Sequence, residues 1–151
     1  AVHHSVQRMY GFNGLMKHPL HQAFELTCAI FPLLALGMPV NVAWLLGFAV
    51  AVQLLLQHSN VDLRVGPFMH VWAVAPAHRF HHLNRAGDGD VNFALFSSVW
   101  DHLLGTFHYD VGKQPRLGQL GIEGRADYPV GYVAQLLEPF RPEDLKVATS
   151  R

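Results

Sequence analysis

The longest apolar stretch of the chain runs from Leu26 to Gln57 and contains no charged side chain. A membrane-spanning helix needs about 20 apolar residues, so this stretch is too long for one span and slightly short for two. Turn-forming residues interrupt it once, at Gly37, Pro39 and Asn41. The pattern therefore predicts two helices, at about 22–37 and 40–57, with a kink at Pro32 in the first.

Both predicted helices are apolar on every side rather than along one stripe, which is typical of helices surrounded by lipid. Basic residues lie outside them, and the turn between them carries no charge. The flanking basic residues are Arg8, Lys17, Arg64, Arg79 and Arg85. By the positive-inside tendency, both outer ends lie in the cytoplasm and the turn faces away. We therefore predict a transmembrane helical hairpin; the alternative is a buried helical hairpin of a soluble protein.

The chain beyond the hairpin, from 58 to 151, mixes glycine, proline and charged residues. We predict a cytoplasmic cap of short helices and loops, with a frayed end over EDLKVATSR. Its apolar segment FMHVWAVA, at 68–75, is too short for a third span and is expected to be interfacial or partly buried. Pro76 is well placed to open a helix that carries HRFHH. The predicted fold class is all-α: an integral membrane helical protein with a helical hairpin and a His-rich helical cap.

Composition narrows the classes of function. Eleven basic and eleven acidic residues balance, so no nucleic acid partner is predicted. The single cysteine, Cys28, excludes an internal disulfide and a cysteine-based zinc site. Half of the residues are apolar and 15% are charged, which favours a membrane protein. Eleven histidines are dispersed along the chain, and no G-x-S-x-G nucleophile motif accompanies them.

The histidines form two groups with related spacing. The first group, which we call the late triplet, consists of His78, His81 and His82. Positions i, i+3 and i+4 share one face of an α-helix, so one helix can direct all three imidazoles at one point. The second group, the opening pair, consists of His3 and His4. A histidine immediately before Ala1 would give the opening pair the same spacing as the late triplet.

The predicted hairpin explains how these distant histidines share a site. Because two helices return the chain to the side that it left, the opening pair, His58 and the late triplet all reach one membrane face. Neutral imidazole is the commonest metal ligand and suits iron, zinc and copper. Six histidines exceed what one tetrahedral metal needs, so we predict a pair of metal ions. A structural or supporting role is favoured for His18, His21, His70, His102 and His108.

Four sequence elements, in this order, resemble the sterol desaturase and fatty acid hydroxylase superfamily of membrane enzymes with histidine-rich dinuclear metal sites. VHHS followed by KHP resembles the second histidine box, QHSN the single-histidine element, and PAHRFHH the last box. DVNFALFSSVWDHLLGTF, at 90–107, is similar to the downstream signature. The resemblance covers nearly the whole chain. It implies that 1–151 is the C-terminal part of one fatty acid hydroxylase-like domain, with the hairpin at about 22–57 and the cap and tail at about 58–151.

The resemblance implies an oxidoreductase: a non-haem di-iron enzyme that uses dioxygen as co-substrate to hydroxylate or desaturate a sterol, fatty acyl or related lipid. The implied cofactors are two iron ions, with zinc as their substitute in a purified form. The implied ligands are His3, His4, His58, His78, His81 and His82. Since the sequence has no flavin, haem or iron–sulfur motif, an external donor similar to cytochrome b5 or ferredoxin is expected. The implied location is multi-pass, in a bacterial inner membrane or the endoplasmic reticulum, with the metal site at the cytoplasmic face.

Two departures from the family's pattern matter. The first histidine box and the first histidine of the second box are not in this sequence, so we expect a fragment that is inactive alone, preceded by histidine. Some relatives also place a histidine four residues after the equivalent of His58, where this sequence has Asp62. The candidates to support the ligands are Asp62, Asn60 and His18. Structural roles in the cap are expected for Asp90, Asn92, Trp100 and Asp101.

Two other classes of function stay open. A membrane haem protein would place paired histidines within facing spans, but the predicted spans contain none. A non-catalytic zinc-binding membrane protein, or an inactive relative, would retain zinc without turning over lipid. Iron content together with oxygen-dependent lipid turnover would distinguish the hydroxylase or desaturase from both. The motifs leave open the lipid, and hydroxylation against desaturation.

Overall fold

A computed structural model describes residues 2–85, 87–116, 118–125 and 127–141. The expected frayed end, EDLKVATSR, lies outside the described residues. Within them the chain forms helices and loops without a strand, and backbone pairing outside helices is limited to two isolated bridges, Trp72 with Ser97 and Leu83 with Leu120. The prediction of an all-helical chain is confirmed for this part.

The first apolar segment forms two short helices, α1 (Pro19–Ala29) and α2 (Phe31–Ala35). Proline at position 32 has no N–H with which to continue the hydrogen-bond ladder, so the helix breaks at Ile30. The interruption expected at Pro32 is found two residues earlier, at Ile30, which separates the two helices. Neither piece has the length of a membrane span, so the first arm of the hairpin stays a prediction.

The second apolar segment forms α3, Val40–Gln57, with the bounds that the sequence predicts. Gly37 supplies the left-handed turn conformation, with φ of 93°, and Pro39 precedes the first helical residue. Among the described residues, α3 is the one helix that is long and apolar enough to cross a membrane. Half of its residues are exposed, and two, Gln53 and Gln57, are buried.

Short helices make up the remainder. The further α-helices are α4 (Ala75–His81), α5 (Val99–Leu104) and α6 (Tyr132–Leu137). Single turns of 3-10 helix occur at Val2–His4, Gly11–Leu15, Gly66–His70, Val111–Lys113 and Glu138–Phe140. The turn at Gly11–Leu15 packs closely against the C-terminal half of α3, where Gly11 and Gly14 face the backbone carbonyls of Leu55 and Leu54. This contact brings the start of the chain beside the end of α3.

Among the described residues, eleven polar or charged residues are buried beside ten hydrophobic ones. The most completely buried large side chains are His58, His82, Gln53, Gln57, Asn13 and Ser98. Gln53 donates from Nε2 to the carbonyls of Ala73 and Leu95, both at 2.7 Å. Gln57, one turn later, donates to the carbonyls of Ala94 and Leu95 at 2.8 and 2.9 Å. These amides attach α3 to the segment before α4 and to the segment before α5, and so fix the framework around the histidines.

Candidate metal centre

Three separate elements bring the six predicted histidines together. The opening pair lies on the 3-10 turn Val2–His4, and His58 is the residue that ends α3. His78 and His81 lie in the last turn of α4, and His82 is its C-terminal cap. Pro76 stands in the first turn of α4, as expected of a helix opened by proline. The structure thus places every histidine of the two groups, together with His58, in one cluster.

The Nε2 atom of His58 is the centre of this cluster. It lies 3.1 Å from Nε2 of His3, 3.1 Å from Nε2 of His82 and 3.2 Å from Nε2 of His78. These four residues offer ligand atoms that all lie within 4.8 Å of one another. Two nitrogens bound to one metal at about 2.0–2.1 Å are separated by about 2.9–3.4 Å at octahedral or tetrahedral angles. The three separations from Nε2 of His58 fall in that range.

Hydrogen bonding alone does not account for this arrangement. His58 Nδ1 lies 2.8 Å from the carbonyl of Leu54, which can only accept, so Nδ1 carries the proton and Nε2 presents its lone pair. One lone pair accepts one good hydrogen bond, yet three nitrogens surround it. The Nδ1 atoms of His3, His78 and His82 are also buried without a hydrogen-bond partner among the described residues. A cation shared by the four Nε2 atoms would relieve the repulsion between their lone pairs, so the donor set fits a metal ion.

His4 and His81 lie on one side of this four-histidine group. Their ring centroids are 4.7 Å apart, and the ring of His4 stacks on that of His82 with centroids 4.6 Å apart. Both imidazoles line a cavity of about 490 Å³ that also contacts Phe93, Asp90 and Glu123. This side of the cluster is therefore the one that a small molecule reaches from the surface.

Burial keeps the imidazoles neutral. Burial, and next the neighbouring His58, lowers the pKa of His3 to about 3. Burial, and next His81, lowers the pKa of His4 to about 4, and burial lowers the pKa of His58 to about 4 despite its hydrogen bond to Leu54. Burial also lowers the pKa of each member of the late triplet. Neutral imidazole is the form that binds metals, so the cluster is ready to bind at neutral pH.

Comparison with known proteins agrees with the motifs. The family model described as "Fatty acid hydroxylase" matches residues 1–106. The chain belongs to the fatty acid hydroxylase family. It is 36% identical over 140 residues to the ornithine lipid hydroxylase OlsE of Rhizobium tropici, a match that covers 93% of this chain and 41% of that relative. The chain therefore spans about two fifths of the relative's length, and no solved structure matches it.

In this fatty acid hydroxylase family member, residues of the downstream signature, 90–107, form hydrogen bonds with α4 and with the late triplet that it carries. His81 donates from Nδ1 to the carbonyl of Val91 at 3.0 Å, which leaves Nε2 free on the cluster side. Asn92 has φ of 52°, a left-handed conformation that asparagine tolerates better than most residues. Its Nδ2 donates to the carbonyls of Ala77 and His108 at 2.8 and 2.7 Å. Asn92 thereby ties the loop that carries the Val91 carbonyl to α4.

Asp101 supports the same loop from α5. Its carboxylate accepts the backbone N–H groups of Phe93 and Ala94 at 2.9 and 3.1 Å, and the hydroxyl of Thr106 at 2.7 Å. The carbonyl of Ala94 in turn accepts from Gln57, the residue before His58. The structural roles expected for Asn92 and Asp101 are thus visible as contacts, whereas Asp90 and Trp100 are exposed.

The residues proposed to support the ligands lie elsewhere. The side chain of Asp62 is 79% exposed and pairs with Arg64 at 3.5 Å, and Asn60 is also exposed. His18 accepts the N–H of Leu20 at the start of α1, and its Nε2 lies 3.1 Å from the carbonyl of Leu136. The supporting role proposed for these side chains is filled, at His58 and His81, by the backbone carbonyls of Leu54 and Val91.

The remaining histidines lie outside the cluster. His21 pairs with Glu25, His108 packs against Phe80, and His70 lies 3.2 Å from His102. Two residues that shape the cluster, Gln57 and Gly14, were not predicted from the sequence. A Cβ atom on Gly14 would lie 2.5 Å from the Leu54 carbonyl oxygen and 2.8 Å from His58 Nδ1. A glycine in an ordinary turn carries no signal of such a close approach.

Proposed function

We propose that this chain is the C-terminal part of a membrane-bound, di-iron, oxygen-dependent hydroxylase that acts on a C–H bond of a lipid. The observation that carries the proposal is the convergence of four Nε2 atoms on one buried point, with two more imidazoles beside it. The family match and the similarity to an ornithine lipid hydroxylase support lipid hydroxylation. Hydroxylation is therefore favoured over desaturation, and an ornithine lipid is the first substrate to test.

The proposed ligands divide into two sets. One iron would be held by His3, His58, His78 and His82, and His4 and His81 would contribute to a second. When bound, iron supplies the oxidising chemistry that acid, base and nucleophilic side chains lack toward an unactivated C–H bond. Further ligands are expected from the longer protein, beginning with a histidine immediately before Ala1.

The chain's own residues prepare the site in three ways. Backbone carbonyls of Leu54 and Val91 fix the tautomers of His58 and His81, so that their Nε2 atoms carry lone pairs. Burial holds the imidazoles in their neutral form. Hydrogen bonds of Gln57 and Asp101 fix the framework on the inner side of the cluster, and the cavity beside His4 and His81 opens onto its other side.

The proposed setting is a membrane that α3 crosses, with the histidine cluster at its cytoplasmic face. α3 has no charged residue and consists mainly of apolar residues, and His58 follows its last residue. A lipid would then reach the cluster from the bilayer. An external protein similar to cytochrome b5 or ferredoxin would supply electrons, since the sequence has no redox cofactor motif of its own.

The test compares His58→Ala, His81→Ala and His70→Ala in the complete protein. His58→Ala is expected to lose bound iron and all oxygen-dependent lipid product, because His58 is the centre of the four-nitrogen group. His81→Ala is expected to retain less iron than the wild type and to form no product. His70, an exposed histidine outside the cluster, is the matched control and should leave both unchanged. Wild-type iron content with normal product in His58→Ala would contradict the proposal.

A non-catalytic zinc-binding protein is the second candidate, because four histidine nitrogens around one point also suit tetrahedral zinc. It predicts that the complete protein retains zinc and forms no oxidised lipid after reconstitution with iron, a reductant and dioxygen. Oxygen-dependent product after that reconstitution would exclude it.

A further inference from the structure

Helix α5 directs its one acidic residue inward and its apolar residues outward, and His102 is exposed beside them. Asp101 is 3% exposed, and its carboxylate binds the backbone of the preceding loop. The apolar residues around it point outward, with Trp100 64%, Leu103 71% and Leu104 76% exposed. A surface helix of a water-soluble domain has the opposite arrangement.

The segment before α4 continues this outward apolar surface. The backbone N–H of Ser98 donates to the carbonyl of Val71 at 3.1 Å, which joins the two segments side by side. His70 and His102 also meet across them, at 3.2 Å. We call the combined surface the apolar ledge. Its exposed side chains are Phe68, Val71, Trp72, Trp100, Leu103 and Leu104.

The ledge is hydrogen-bonded to α3 near the C-terminal end of that helix. Trp72 donates from Nε1 to Oε1 of Gln53 at 2.9 Å, and Gln53 donates to the carbonyl of Ala73. Gln53 precedes His58 by about 7.5 Å along the helix, at about 1.5 Å per residue. The ledge therefore joins the last two turns of α3, whose outward residues Val52 and Leu56 are themselves exposed and apolar.

We propose that the apolar ledge lies in the interfacial layer of the lipid bilayer, beside the point at which α3 leaves the membrane. This assignment rests on the membrane location proposed above. Three observations favour lipid as the occupant: the surface adjoins the exposed apolar residues at the end of α3, it contains two tryptophans and a phenylalanine, and it carries no charged side chain because Asp101 points inward. Its exposed polar groups are the imidazoles of His70 and His102. Tryptophan is enriched at membrane interfaces, and an exposed contiguous apolar patch marks a contact surface. The ledge would then hold the histidine cluster at a fixed distance from the bilayer.

The test attaches an environment-sensitive fluorophore to single cysteines of the complete protein, with Cys28 and any other native cysteine replaced by serine. Leu104→Cys reports on the ledge and Phe48→Cys on the middle of α3. Val111→Cys is the matched control, an exposed apolar residue outside both surfaces. The protein is reconstituted in phosphatidylcholine vesicles that carry spin-labelled lipids with the label either near the headgroup or deep in the acyl chain. Aqueous iodide is the third quencher.

The proposal expects a distinct pattern for each site. The Leu104→Cys probe loses fluorescence mainly to the shallow spin label, the Phe48→Cys probe mainly to the deep label, and the Val111→Cys probe mainly to iodide. If position 104 behaves as 111 does while position 48 is quenched by lipid, the ledge assignment is wrong and the membrane location stands. If position 104 is shielded from iodide and from both lipids, another protein segment covers the ledge and the assignment is also wrong. If position 48 is not quenched by lipid, the membrane location itself fails.

Discussion

The two sides of α3 differ in a way that reverses the usual order of a soluble protein. On the side toward the histidine cluster, Gln53 and Gln57 are almost completely buried, whereas Trp44, Leu45 and Phe48 are exposed on the other. The buried apolar cluster of the described residues is small, with Val6, Met9 and Leu120 as its members. The side of α3 toward the cluster is therefore organised by hydrogen bonds and closely spaced imidazoles, and the other side presents exposed apolar residues.

The two sides of α3 contribute to the stability of the fold in different ways. Polar groups in a buried network stabilise the fold only when each finds its partner, and an unpaired one costs about 1–3 kcal/mol. Exposed apolar groups of α3 contribute little to internal packing, because few of them contact the rest of the chain. Changes on the polar side should thus disturb the metal centre, and changes on the apolar side should not.

Lowering the pH is expected to produce the largest loss of folding stability. The buried imidazoles have pKa values lowered to about 3 for His3 and about 4 for His4 and His58. In the unfolded chain they take up protons near pH 6.5. Protonation therefore favours unfolding as the pH falls from about 6.5 to between 3 and 4, by up to about 1.4 kcal/mol per group and pH unit.

The measurement is the thermal unfolding midpoint of metal-free protein from pH 8 to pH 4. It should be nearly constant above pH 7 and should fall below pH 6.5. A midpoint that stays constant down to pH 5 would show that the imidazoles are not buried as described.

Gly14→Ala is expected to produce the next largest effect. The added Cβ meets the Leu54 carbonyl and His58 Nδ1 at distances that require the backbone to move. Overpacking of this kind costs about 1–3 kcal/mol, and here it also displaces the central imidazole. Both the unfolding midpoint and the bound metal should fall.

Gly47→Ala is the matched control, because a Cβ on Gly47 meets no atom within 4 Å. Alanine is also the better helix former, by about 0.5–1 kcal/mol, so stability should be unchanged or slightly raised. Equal losses of the unfolding midpoint in the two variants would contradict the distinction between the packed side and the exposed side of α3.

Gln57→Leu is expected to produce a smaller loss. Leucine has a similar size but leaves the carbonyl of Ala94 without the N–H that it accepts from Gln57 at 2.8 Å. The free energy of unfolding should fall by about 1–3 kcal/mol, with a weaker effect on bound metal than that of Gly14→Ala. Chemical denaturation in detergent measures the first quantity, and metal analysis measures the second.

The control is Gln7→Leu, which removes the same amide from an exposed position. Surface substitutions of this kind usually change stability by less than about 0.5 kcal/mol. If both leucine variants were equally stable, the buried amides would not hold the framework.

Structural features that depend on short-range sequence patterns could be predicted. The bounds of α3 followed from its uninterrupted apolar run, and the break near Pro32 followed from the missing N–H. The gathering of the six histidines was predicted from the i, i+3, i+4 spacing and from a helical hairpin that itself stays a prediction. That these imidazoles bind metal stays a prediction.

Contacts that depend on backbone placement were not readable. The group that accepts the Nδ1–H of His81 is the backbone carbonyl of Val91. Every residue has such a carbonyl, so the sequence cannot indicate which one accepts. Asp62 has the residue type and position expected of a supporting carboxylate, yet its loop turns outward to Arg64. The close approach at Gly14 likewise results from packing between distant segments rather than from local pattern.

The position of His58 at the very end of α3 has a mechanical consequence. Its Nε2 contacts partners on two other elements, so an axial displacement of α3 changes all three separations together. One residue of helical rise, about 1.5 Å, is about half of each separation and would pull the donor set apart. In the membrane setting proposed above, bilayer thickness and the tilt of α3 would thus tune the spacing of the nitrogens in the proposed metal site.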